Sequence, residues 1–69
     1  MPGQLTIRVG GVVREHRPPA TFLVELANGH RVFASVLPSQ LGKALGIRPG
    51  DRLDLEISPA DFSHGVVVF

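Results

Sequence analysis

Apolar and polar residues alternate along much of this chain, and the alternation predicts its elements. Leu5, Ile7 and Val9 alternate with Thr6 and Arg8, the period-two signature of a half-buried strand. Gly10 and Gly11 interrupt the pattern before Val12 and Val13 resume it. Paired glycines inside a strand predict a bulge or a sharp bend, as small barrels need at their corners. Arg17-Pro18-Pro19-Ala20 predicts a stiff turn. From Thr21 to Leu26, the residues Phe22, Val24 and Leu26 share one face; from Arg31 to Val36, Val32, Ala34 and Val36 do the same. Pro38 opens a segment in which Leu37, Leu41, Ala44 and Leu45 fit one short helix, stopped by Gly46. Arg48-Pro49-Gly50-Asp51 predicts a turn, and Leu53, Leu55 and Ile57 alternate with Asp54 and Glu56 as a fourth strand. Ser58-Pro59-Ala60-Asp61 punctuates the chain again, and Val66 to Phe69 reads as the last strand.

The expectation is all-β: about five short strands with one short helix between the third and fourth. Closing them into a barrel removes the exposed edges that would template aggregation.

The stretch Val24–Phe33, VELANGHRVF, fixes a register. A two-residue Asn28-Gly29 loop would place Leu26 opposite Arg31 and bring Arg31 into the core, which is costly for an unpaired charge. A three-residue loop, Ala27-Asn28-Gly29, instead pairs Val24 with Val32 and Phe22 with Ala34, so the apolar sets coincide. This predicts a type I turn followed by a bulge, with Gly29 left-handed. It also sets Glu25 opposite Arg31 and turns Leu23 and Phe33 away from the core. An outward Phe33 either stacks a nucleic-acid base, is covered by a later loop or the helix, or joins a protein interface.

Length and composition narrow the choice of function. Sixty-nine residues make one domain, 1–69, with a modest core. The chain has no cysteine, which removes a disulfide framework and a thiolate zinc site and suits a reducing, cytoplasmic setting. Neither a secretory signal nor a membrane span is expected. Seven basic residues stand against six acidic ones, a net charge of +1. That is not the balance of a purely electrostatic nucleic-acid binder, although six of the seven are arginines, suited to bidentate phosphate or carboxylate contacts. Enzymatic chemistry is not expected. His16, His30 and His64 lack metal-ligand spacing, no G-x-S-x-G motif occurs, and Asp51 and Asp61 read as turn caps. No cofactor is implied. Arg14, His16 and Arg17 cluster at the end of the first strand. They read as a solvated rim or as a phosphate-contacting edge joined by Arg31, Arg48 and Arg52, with Arg8 extending it.

Phe22-x-Val24-Glu25-Leu26-x-Asn28-Gly29-His30-x-Val32-x-Ala34, then Gly50-Asp51, Ser58-Pro59-x-Asp61 and Gly65-x-Val67-Val68-Phe69 follow one another at fixed spacing. This ordered set resembles the bacterial translation initiation factor one family, without a gap from about Val9 to Phe69. The resemblance implies a small five-stranded oligonucleotide-binding (OB) fold barrel of the S1-like type. It implies a non-catalytic, cytoplasmic protein that binds ribosomal RNA on the small ribosomal subunit near the decoding site, beside other initiation factors, as a monomer. It points to Arg14, Arg17, His30, Arg31, Phe33, Lys43 and Arg48 as RNA contacts, His30 being otherwise a turn cap.

The chain departs from that family where the family is basic. Ser39, Leu41, Gly42 and Gly46 stand where basic or strongly polar residues are usual, leaving Lys43 alone in the helical segment. His64 and Val66 also replace usual basic positions, and no basic tail follows Phe69. Each lost phosphate contact weakens binding and flattens its salt dependence. These replacements motivate an alternative, a divergent relative serving as a protein-interaction module through Leu23, Phe33, Leu41 and Val66. A second resemblance covers about one third of the chain. Ala44-Leu45-Gly46-Ile47-Arg48-Pro49-Gly50-Asp51-Arg52 is similar to swapped-hairpin DNA-binding regulators of the AbrB type, which implies an intertwined dimer.

Overall fold

A computed structural model describes residues 6–69 of the chain; Leu5, expected in the first strand, lies outside them. Five strands close into a barrel in the order β1-β2-β3-β5-β4. They are β1 (Ile7–Arg17), β2 (Thr21–Leu26), β3 (Arg31–Ser35), β4 (Arg52–Ser58) and β5 (Asp61–Val68). Between β3 and β4, a 3-10 turn (Pro38–Gln40) leads into a single helical turn, α1 (Leu41–Ala44). Neighbouring strands are antiparallel except β3 and β5, which run parallel and seal the barrel.

The β2–β3 hairpin has the register that parity predicts. Phe22 faces Ala34, Val24 faces Val32, and Leu23 faces Phe33. The three-residue loop closes through Leu26 N–H donating to the His30 carbonyl at 2.8 Å and Gly29 N–H donating to the Leu26 carbonyl at 2.9 Å. Gly29 has φ +85°, a conformation in which a Cβ would be strained.

Alternation delivers the core. Val13, Phe22, Val24, Val32, Ala34, Leu55 and Ile57 are fully buried, and Val67, Val36 and Ala44 nearly so. Of the helical segment only Ala44 reaches this core, while Leu37, Leu41 and Leu45 lie exposed. One helical turn presents one inward position, and here a small residue fills it.

Two expectations are corrected. The last strand begins at Asp61, not Val66. Asp61–His64 lies exposed at the barrel surface, its one apolar residue Phe62 included, so this half of the strand carries no alternation of buried apolar positions. The β1 bulge falls at Arg14, where the pairing with β2 slips between Val13 and Glu15, and the register is regular through Gly10-Gly11. The glycines serve close approach instead. Gly11 pairs with Leu26 on one side and Leu53 on the other, where β1 changes partner from β4 to β2. A Cβ at Gly11 would lie 2.5 Å from Val24 Cγ1 and 2.9 Å from the Glu25 carbonyl oxygen. Neither neighbour has free space, since one is in the core and the other is backbone. Gly11→Ala is therefore expected to destabilise the barrel by about 1–3 kcal/mol, read as a lower urea midpoint at constant m-value. An unchanged midpoint would contradict this packing.

The segment Ala44–Arg52 is tied into this single-chain barrel. Gly50 N–H donates to the Val13 carbonyl at 2.7 Å, and Val13 N–H to the Asp51 carbonyl at 2.8 Å. This closed five-stranded barrel is not the swapped-hairpin fold that the second resemblance implied.

Candidate nucleic-acid interface

The pairing registers arrange the outward side chains of β1, β2, β3 and β5 in rows. In one row Glu25 of β2 faces Arg31 of β3, and Arg14 of β1 reaches the same carboxylate. Arg14 Nε donates to Glu25 Oε1 at 3.2 Å, and Arg31 Nε lies 3.6 Å from that oxygen. The bulge at Arg14 brings this about, because an extra residue in a strand re-aims its side chain. The exposed pairs contribute little to stability. Their consequence is local charge, since one carboxylate offsets two guanidinium groups.

In the next row Leu23 faces Phe33, and Phe33 lies beside His64 across the parallel β3–β5 junction. Phe33 is 36% exposed. The Arg17 guanidinium carbon stands 5.5 Å from its ring centroid, within cation–π range, and the His64 ring lies 6.1 Å away at 32°. Arg17 is also paired with Glu15 at 2.8 Å. A partly exposed apolar ring thus has a cation and an imidazole close to it. Such a surface can stack a flat aromatic group and hold an anion next to it.

His30 is held structurally. Its backbone N–H donates to Asn28 Oδ1 at 2.9 Å. Its ring Nε2 donates to the Phe62 carbonyl, also at 2.9 Å, so the side chain ties the β2–β3 loop to β5 while remaining exposed. Lys43 and Arg48 stand apart from these rows, on the segment between β3 and β4. Lys43 Nζ lies 5.9 Å from the Phe69 ring centroid. Arg48 donates its backbone N–H to Asp51 Oδ2 at 2.9 Å, the turn cap expected of Asp51. The structure therefore groups Arg14 with Arg31 and Arg17 with Phe33, and leaves Lys43 and Arg48 outside both groups.

Sequence reasoning did not find two features. Arg14 and Arg31 share one carboxylate because of a bulge with no residue signature. His64 joins Phe33 because β5 extends back to Asp61, a stretch with no buried apolar alternation to announce it.

Asp61 caps the β4–β5 turn. Ser63 N–H and Ser63 Oγ donate to its Oδ1 at 3.0 and 2.5 Å. These bonds, with His64 nearby, hold its carboxyl below the ordinary value of 3.8. A lowered folded value favours the native state above the unfolded carboxyl's pKa, and that contribution is lost as pH falls through the lowered value. The Asp61 carboxyl is expected to titrate below 3.8 in a carbon-detected NMR titration, and Asp61→Asn to remove this acid-sensitive part of stability. A midpoint at or above 3.8 would contradict the capping role.

No protein-family model matches the chain. Among solved structures, it superposes on translation initiation factor one from the Wolbachia endosymbiont strain TRS of Brugia malayi. The match has a TM-score of 0.71 and 29% sequence identity, over 91% of this chain and 75% of the other. The chain resembles translation initiation factor one. The chain's own fold, a five-stranded barrel with one short helix between β3 and β4, is consistent with an S1-like OB fold. Among the described residues, no helix is long and apolar enough to cross a membrane.

Proposed function

We propose that this chain is a non-catalytic RNA-binding protein of the initiation factor type. In this reading it binds ribosomal RNA on the small ribosomal subunit near the decoding site during initiation, as a cytoplasmic monomer working beside other initiation factors. The observation that carries the reading is the exposed Phe33 ring flanked by Arg17 and His64, on a barrel that resembles an initiation factor. Phe33 stacks a base; Arg14, Arg17 and Arg31 meet phosphates beside it. His30 contacts RNA from the loop, and Lys43 and Arg48 make separate contacts from the segment between β3 and β4. A face with so few cations suits a target whose shape and exposed bases supply part of the recognition.

Co-sedimentation with small ribosomal subunits, over about 50 to 200 mM salt, tests this reading. Binding that weakens with salt, and weakens further in Arg31→Ala and Lys43→Ala, is expected. Absence of salt-sensitive binding, with no effect of either substitution, would overturn it.

A second reading follows from Leu37, Leu41 and Leu45, the last 88% exposed, which line the segment where the family is usually basic. On that reading the barrel docks a protein through this apolar stripe. Binding to subunits that survives ribonuclease treatment, and is lost in Leu41→Ser and not in Phe33→Ala, would favour it.

A further inference from the structure

The carboxylate between Arg14 and Arg31 occupies the place that an incoming phosphate would take. Glu25 is the better anchored member of the trio: its side chain is 26% exposed, against 54% for Arg14 and 63% for Arg31. Arg14 donates one hydrogen bond, from Nε, and no bidentate fork; Arg31 approaches through Nε at 3.6 Å, beyond hydrogen-bond reach. The outer nitrogens of both guanidinium groups therefore remain free to turn toward a ligand. A phosphate arriving here competes with a fixed internal anion.

We propose that Glu25 is a specificity-determining residue of this face: an internal phosphate mimic that holds Arg14 and Arg31 and must be displaced by the ligand. The inference rests on the RNA-binding reading and deepens it. Isolated phosphates gain little, because they exchange one anionic partner for another. A strand that also stacks a base on Phe33 adds an interaction that the carboxylate cannot supply. The face thereby rejects polyanions that offer charge alone and accepts those that bring an exposed base. The pairing of Arg17 with Glu15 at 2.8 Å repeats the arrangement beside Phe33, so both groups of cations on this face are held back by carboxylates.

The test compares the wild-type chain with Glu25→Gln, using a short single-stranded RNA and heparin as a base-free polyanion. Asp54→Asn is the control. It changes the net charge equally at an exposed β4 position that takes part in none of these pairs. Releasing two cations should tighten heparin binding roughly five- to tenfold and steepen its salt dependence. Asp54→Asn should change both far less. In an Arg14→Ala, Arg31→Ala background, Glu25→Gln should lose its effect. RNA affinity should rise less than heparin affinity, so discrimination between the two falls. If Glu25→Gln binds heparin no more tightly than Asp54→Asn does, or keeps its effect without the two arginines, the proposal is overturned whatever RNA does. If neither form binds RNA while the heparin result holds, the mimic stands and the RNA-binding reading falls.

Discussion

Replacing Phe22 with alanine is expected to remove a large share of the barrel's stability. Phe22 is among the largest fully buried side chains. It faces Ala34 across the hairpin, and the His16 ring stacks on it with centroids 4.6 Å apart. Truncating a buried Phe removes its transfer free energy and leaves a cavity, a cost of about 3–5 kcal/mol. A domain of this length has only about 3–10 kcal/mol in all. The barrel has little means to collapse around the void, because its shape is fixed by strand pairing on every side. The chain has no Trp or Tyr, so far-UV circular dichroism with urea is the suitable measurement. A midpoint far below wild type is expected for Phe22→Ala, with Phe62→Ala, whose side chain is 46% exposed, close to wild type. Similar midpoints for the two variants would contradict the assignment of the core.

Replacing Phe33 with alanine should have the opposite profile. The ring is only partly buried and contributes little to the core, so stability should change by less than about 1 kcal/mol. Loss of a stacking platform costs about 1–3 kcal/mol per base, which is roughly 5- to 150-fold in affinity for single-stranded RNA. Phe33→Leu should restore stability without restoring affinity, because leucine covers Leu23 but has no aromatic face. Fluorescence anisotropy with a labelled RNA reads this directly. Unchanged affinity in Phe33→Ala would remove the ring from the interface. A matching loss of stability and affinity would make its role one of packing.

Much of this architecture was legible in the sequence. Parity in VELANGHRVF was sufficient to set the hairpin register, the left-handed Gly29 and the outward Phe33, because a one-residue slip would bury Arg31. The short helix was placed correctly, but its apolar residues pointed the wrong way for inference. Leu37, Leu41 and Leu45 look like a core face, yet a single helical turn buries only Ala44. The start of β5 was hidden because its first half is exposed, Phe62 included, and is governed by the Asp61 turn. The bulge at Arg14 was hidden because register slips leave no residue signature when the bulged residue is not glycine. That one slip decides which cations meet at Glu25, so the charge pattern of the face emerges only in three dimensions.

The central claim is that RNA engages the outer face of β1, β2, β3 and β5, centred on Phe33. Titrating the isotope-labelled chain with a short single-stranded RNA, and following its backbone and side-chain NMR signals, tests it most directly. The largest shifts are expected at Arg17, Leu23, Arg31, Phe33 and His64, with smaller ones at Lys43 and Arg48. Shifts confined to the Leu37–Leu45 segment, or no shifts at all under low-salt conditions, would contradict it.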